Sequence, residues 1–319
     1  MFKRKTYKRL LWLFATAFLF INAVAYFHAY KFTHFSEAAV EKTKSPEKLS
    51  SLDKIKTLLT GVNNPRPNNK AVTGKIIEIV TLQSNKRIEC WYIKSHDIID
   101  SAKGTVAIFH GYSGDKSSMM DKSEEFLRLG YNTILVDFMG SGGSEGNQTT
   151  LGYKEAEQVK TVYDYLKLKG EQNIYLFGTS MGAVAILKSI NDYNLTPKSI
   201  IIECPFGSMY QTTCARFRIM NAPVFPMAGL LVFWGGVQNG FWAFGHNPVK
   251  YALKVSCPTL LLYGEKDRNV SRKEIDAIFK NIKGKKELKT YKLAGHENYL
   301  LKYKEEWVAD VSRFLKQAN

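Results

Sequence analysis

From about residue 72 to the end of the chain, short apolar runs alternate with longer stretches of helical periodicity. Residues 75–82 and 87–94 read as an opening pair of strands, and 105–110 as a continuously apolar strand of the buried kind. A helix through 119–129, a strand at 131–137 and a helix at 154–167 follow. The apolar run 174–177 leads into a helix of small residues, 183–190. Strands at 199–203, 258–263 and 288–291 complete the set, with helices near 272–281 and 303–316. This alternation predicts an α/β fold, a mostly parallel central sheet with helices on both faces. Ligands on such a sheet sit outside the carboxyl ends of its strands.

Two stretches break the rhythm. About fifty residues separate the strand ending near Cys204 from the one starting near Thr259, too many for a simple loop. They are rich in aromatic residues, among them Phe217, Phe225, Phe233, Trp234, Trp242 and Phe244. A cap of short helices at about 206–252 is the expectation, with simple packing onto the sheet as the alternative. A second membrane span over 224–237 is a further reading, weakened by Pro226 and the glycines.

The other stretch is N-terminal. Lys3, Arg4, Lys5, Lys8 and Arg9 precede an apolar run over residues 10–30, long enough as a helix to cross a hydrocarbon core of about 30 Å. Basic residues ahead of the run favour a cytoplasmic N-terminus and place the rest of the chain, including its globular domain, outside the cytoplasm. Trp12 at one end and Tyr26, Phe27, Tyr30 and Phe32 at the other suit interfacial anchors. Ala23-Val24-Ala25 offers small residues at a cleavage spacing, so a cleaved signal, leaving a secreted or periplasmic domain, is the alternative. The implied organisation is a membrane segment over 1–30, a polar tether over 31–70 with one short amphipathic helix at 51–60, and a globular domain over 71–319.

Charge and cysteine content narrow the function classes. The net charge of +16 raises the question of nucleic acid, yet acids interrupt the basic residues throughout the globular part. Helix-turn-helix, zinc-finger and RNP-like signals are missing, so a basic surface beside anionic lipid explains the charge better. Cys90, Cys204, Cys214 and Cys257 form no CxxC and have no nearby histidine pair, which argues against a zinc site. A Cys204–Cys214 disulfide stays open for a domain outside the cytoplasm. The glycine-rich run 137–146 follows a strand but lacks the Gly-Lys-Ser/Thr of a phosphate loop, and Glu145 stands where a dinucleotide motif needs its third glycine. It reads as a structural turn, and no metal or organic cofactor is expected.

The chemistry-bearing motif is Gly178-Thr179-Ser180-Met181-Gly182, between a predicted strand and a predicted helix. A G-x-S-x-G in that setting is a nucleophile elbow, a turn that lifts the serine hydroxyl clear of the sheet. Strand-His110-Gly111-Tyr112, Gly264-Glu265-Lys266-Asp267 after a strand, and Gly295-His296 stand in matching order around it. Together these resemble the α/β-hydrolase superfamily over roughly residues 75–317. The resemblance implies that Ser180 is the nucleophile, His296 the base and Asp267 the acid that orients it. Glu203 is the rival acid, Glu265 sits too close to its strand, and His246 falls in the cap. The same comparison implies an oxyanion hole from the backbone N–H groups of Tyr112 and Met181, and makes His110 structural.

The expected activity is a serine hydrolase acting on a small-molecule acyl substrate, a carboxylesterase or lipase-like enzyme. An apolar cap beside a membrane suggests a lipophilic one. A peptidase acting on short peptides and a non-catalytic binding protein on the same fold are the alternatives.

Overall fold

Eight strands pair into one sheet, in the spatial order 78–83, 87–93, 132–136, 105–109, 174–179, 199–203, 259–264 and 286–291. The computed structural model describes residues 2–44, 49–74, 76–95 and 102–318; Lys75, at the edge of the first expected strand, lies outside them. The chain runs through α1 (Phe2–Thr33), α2 (Ser51–Thr60), β1 (Glu78–Gln83), β2 (Arg87–Ile93), β3 (Thr105–Phe109), α3 (Met120–Arg128), β4 (Asn132–Val136) and α4 (Glu155–Leu168). It continues with β5 (Ile174–Thr179), α5 (Met181–Tyr193), β6 (Ser199–Glu203), α6 (Met209–Ile219), α7 (Met227–Asn239) and α8 (Pro248–Tyr251). The last elements are β7 (Thr259–Gly264), α9 (Arg272–Asn281), β8 (Lys286–Tyr291), α10 (Tyr299–Lys302) and α11 (Lys304–Ala318).

Burial follows from the pairing. β3, β6 and β7 are buried at every position, as parallel strands covered on both faces require. β1 and β2 are antiparallel additions at one edge, and β8 closes the other with half-buried residues. One core packs α4, α5 and α9 on one face of the sheet through Val159, Val162, Ile186, Ile190, Ile275 and Ile278. The second packs α3 and α11 on the opposite face through Phe126, Trp307, Val311 and Phe314. The register aligns strand ends: Phe109 of β3 faces Gly178 of β5, and Thr179 faces Glu203 of β6. Three loops therefore leave the same edge side by side.

The insertion after β6 is helical, as its length and composition predict, with α6, α7 and α8 inside the expected bounds. α7 has 13 residues, about 20 Å at the α-helical rise, too short to cross a bilayer. That removes the second-span reading. All four cysteines are unpaired, so the Cys204–Cys214 bridge does not form.

Within the N-terminal helix, Thr6–Thr33 contains an 18-residue window of mean hydropathy 2.0, apolar enough for a membrane span. Its far end docks on the rest of the molecule: Ala25 and Ala29 are buried, and Trp234 Nε1 of α7 donates to Asn22 Oδ1 at 3.1 Å. The stretch expected as a loose tether is similarly engaged. Ser36 bridges to Pro65, and the Arg66 guanidinium donates to the carbonyls of Gly142 and Ser144 at 2.8 and 2.5 Å. The helix expected at 51–60 forms at those bounds, capped by Ser50, whose side chain accepts from the Asp53 N–H.

Candidate active site

Glycine makes the elbow possible. A Cβ on Gly178 would lie 2.6 Å from the Ala183 nitrogen, and one on Gly182 would lie 2.4 Å from the Phe109 carbonyl oxygen. Between them Ser180 adopts φ +52°, ψ −109°, a conformation that side-chain-bearing residues seldom hold without support. The support is visible: Ser180 N–H donates to the Glu203 carbonyl at 2.8 Å, pinning the turn to β6. Ser180 then caps α5, whose first N–H groups and dipole favour negative charge.

Three residues far apart in sequence meet here. Ser180 Oγ lies 3.0 Å from His296 Nε2, and His296 Nδ1 lies 2.7 Å from Asp267 Oδ2. Asp267 leaves the end of β7, and its other oxygen accepts the N–H groups of Asn269 and Val270 at 2.7 and 2.9 Å. That clamp leaves Oδ2 free to hold the imidazole. Burial works against protonation of His296, but the neighbouring Cys204 sulfur and the Asp267 carboxylate outweigh it and raise its pKa above the ordinary histidine range.

Glu203, the rival acid, is committed elsewhere. Its carboxylate accepts Trp307 Nε1–H at 2.7 Å and the Thr179 hydroxyl at 2.9 Å. Glu265 accepts the Thr290 hydroxyl at the sheet edge. His246 is buried in the cap, its ring nitrogens 3.1 Å from the Tyr251 hydroxyl and the Leu151 carbonyl, and burial pushes its pKa down to about 4. His110 accepts the Phe138 N–H at Nε2 (3.1 Å), so Nδ1 carries the proton given to the Gly111 carbonyl at 2.8 Å. Both serve architecture.

Tyr112 lines the same cavity as Ser180, Met181 follows the serine in the elbow, and neither N–H finds an acceptor among the described residues. The glycine-rich run behind this loop packs around a buried ion pair. Lys116, with no exposed surface, contacts the Asp137 carboxylate and reaches Glu89 at 2.8 Å. Asp137 also accepts the N–H groups of Lys116 and Gly143 and the side-chain amide of Asn69. A Cβ on Gly142, at φ +49°, would sit 1.9 Å from that carboxylate. The run is a turn wrapped around an ion pair.

Sequence reasoning missed two features. Cys204, with φ +41°, is buried with its sulfur within 4.8 Å of the Asp267 and His296 ligand atoms. The 2.7 Å Asp267–His296 contact is a hydrogen bond, closer than two ligands on one tetrahedral zinc at about 2.0–2.3 Å from each would sit. The second feature is the N-terminal segment. The Tyr112 hydroxyl donates to the Phe32 carbonyl at 2.8 Å and accepts from the Asn64 side chain, while Lys42 Nζ reaches the Ser113 carbonyl at 3.3 Å. α1, the following segment, α6 and α7 thus wall a cavity of about 1000 Å³ over Ser180 and His296. Only a charge pattern was available in residues 31–70, and it carries no such signal.

The fold has counterparts among known proteins. Residues 100–233 match the family described as serine aminopeptidase, S33. The Bacillus subtilis protein YqkD is 24% identical over 236 residues, 73% of this chain and 76% of its own. The lysophosphatidylserine lipase ABHD12 of Danio rerio is 24% identical over 189 residues, 56% of this chain and 46% of its own length. Among solved structures, an esterase from Pyrococcus furiosus superposes with TM-score 0.63 at 21% identity, covering 80% of this chain and 99% of that one. The chain has the α/β-hydrolase fold.

Proposed function

We propose that this chain is a membrane-anchored serine hydrolase that cleaves a carboxylic ester or related acyl bond through an acyl-enzyme. The observation that carries the reading is the unbroken relay from Ser180 through His296 to Asp267 at the base of the cavity. Ser180 Oγ attacks the acyl carbon while His296 Nε2 takes its proton, and Asp267 stabilises the resulting imidazolium. The carbonyl oxygen gains negative charge and is received by the Tyr112 and Met181 N–H groups, an interaction in which one donor is worth about 3 kcal/mol. His296 next protonates the leaving alcohol. Water then enters, gives a proton to His296 as its oxygen bonds the acyl carbon, and His296 passes that proton to Ser180 Oγ as the acyl–Oγ bond breaks and the acid leaves. The scheme uses no metal and no organic cofactor.

Apolar walls from Met209, Phe217, Leu231, Val232 and Phe241 suit a lipophilic acyl group. A lipase of lysophosphatidylserine among the relatives supports the same substrate class. An aminopeptidase would need an acid free to meet the substrate's amine. Glu203 and Glu297 line the cavity, but Trp307 and Thr179 hold the first, and Lys302 and the Gly295 N–H hold the second. The ester reading is preferred on that ground.

Retention of α1 as an anchor fits the contacts better than cleavage, and the basic residues ahead of its apolar run favour a domain outside the cytoplasm. A cut at Ala23-Val24-Ala25 would remove Asn22, which accepts from Trp234, and break the buried Ala25–Ala29 face.

A fluorophosphonate probe tests the reading. The folded wild type is expected to label, and Ser180→Ala to label at background. Failure of the wild type to label would favour a non-catalytic protein, and a panel of p-nitrophenyl esters beside aminoacyl amides then separates esterase from peptidase.

A further inference from the structure

Between Arg218 and Lys250 the chain has no charged residue, although Lys, Arg, Asp and Glu make up 23% of the whole. This stretch contains α7, and its surface is apolar: Phe225, Val237 and Trp242 are 86%, 54% and 65% exposed, and Phe233 and Phe244 are exposed beside them. A patch of this kind marks an interaction surface. Its position says with what. α7 packs along α1, where Trp234 donates to Asn22 and stacks edge-on against Tyr26, and Gln238 donates to the Tyr26 carbonyl at 2.8 Å.

The length of α1 fixes the depth of this contact. Before Asn22, the apolar helix free of the domain runs from Leu10 to Ile21, about 18 Å at 1.5 Å per residue, against a hydrocarbon core of about 30 Å. The missing ~12 Å is about eight residues of α1, the stretch that lies alongside α7. A bilayer that covers α1 fully must therefore reach the exposed face of α7 too.

We infer that α7 and its flanking aromatic residues are immersed in one leaflet beside α1, and that the cavity receives a bilayer-resident acyl ester directly from the acyl chains. This rests on the anchor and hydrolase readings above. The cavity wall contains residues of both helices, Val24 and Phe32 from α1 and Met227, Leu231 and Gly235 from α7, so the route from leaflet to Ser180 runs between apolar surfaces. Arg218 and Lys250 mark where the charge resumes, as expected at the edge of an immersed segment.

The test uses the full chain reconstituted in phosphatidylcholine–phosphatidylglycerol vesicles, with nitroxide labels at Val237→Cys, Trp242→Cys, Phe14→Cys on α1 and Leu168→Cys on α4, and unlabelled-site controls for the native cysteines. Collision with oxygen reports lipid and collision with a water-soluble nickel chelate reports solvent. The expected result is lipid exposure at 237, 242 and 14 and water at 168. Water at 237 and 242 with lipid at 14 would overturn the immersion and leave the anchor standing, whereas water at 14 as well would sink the anchor reading along with it.

A kinetic arm addresses delivery. Val237→Asp with Trp242→Asp is expected to slow hydrolysis of a long-chain ester in the vesicles by about tenfold, since a carboxylate resists immersion. Turnover of a soluble short-chain p-nitrophenyl ester should stay unchanged. Equal turnover of both esters in variant and wild type would overturn delivery through the leaflet, and a wild type inert toward both would overturn the hydrolase reading instead.

Discussion

Asp267→Asn is expected to lower turnover about 10⁴-fold while leaving the melting temperature within a few degrees of wild type, the scale of loss found when a triad aspartate is amidated. The reason lies in the tautomer. Asp267 Oδ2 accepts from His296 Nδ1 at 2.7 Å, which leaves Nε2 unprotonated, 3.0 Å from Ser180 Oγ and ready to take its proton. An asparagine amide can donate to Nδ1 instead, which moves the ring proton to Nε2 and blocks that transfer. The pH profile gives a second signature. The proposed mechanism requires neutral His296, so turnover is expected to rise with pH through its pKa. Burial lowers that pKa, and Cys204 and Asp267 raise it to a net value above the ordinary range. Removing the carboxylate charge takes away one of the raising influences, so the acid limb of the residual activity should move to lower pH. Wild-type turnover in Asp267→Asn, with collapse in a folded Glu203→Gln, would instead assign the role to Glu203.

Lys116→Met is expected to destabilise the domain by about 3–5 kcal/mol, because it strands buried charge on Asp137 and half-buried charge on Glu89. For a domain of this size that corresponds to a fall in melting temperature of roughly 10 °C. The effect carries a pH signature. Burial alone would raise the Asp137 pKa, but Lys116, His110 and the hydrogen bonds from Lys116 and Asn69 hold it below the usual carboxylate range. A depressed folded-state pKa contributes stability above the unfolded value and loses it as pH falls through the folded one. The gap between wild type and variant should therefore be widest near neutrality and narrow toward acid pH, as a differential scan at several pH values would show. A uniform gap would mean that Lys116 acts through packing alone.

The sheet and the relay were legible in the sequence to different depths. Strand 199–203 and helix 272–281 form at the bounds their patterns imply, because each is a clean run ended by a local signal; Ser271, for instance, caps α9 with Glu274 answering three residues on. The other expected ends fall within three residues of the observed ones. Ser180, Asp267 and His296 could be named because each follows a strand in a motif with its own backbone demand. The choice between Asp267 and Glu203 could not be made from order alone. It turns on Trp307 and Thr179 occupying Glu203, contacts across 104 and 24 residues that no local pattern records. The engagement of residues 31–70 was hidden for a related reason: Arg66 and Asn64 read as ordinary polar residues until the carbonyls and hydroxyl that receive them are in place.

One of those contacts has a bearing on how the protein would be handled. Tyr112 lines the cavity with Ser180, yet its hydroxyl is fastened to the last turn of α1 and to Asn64. Removing residues 1–33 would sever the fastening to α1, and the loop beside Ser180 is then expected to loosen, which faster amide exchange around Tyr112 would register.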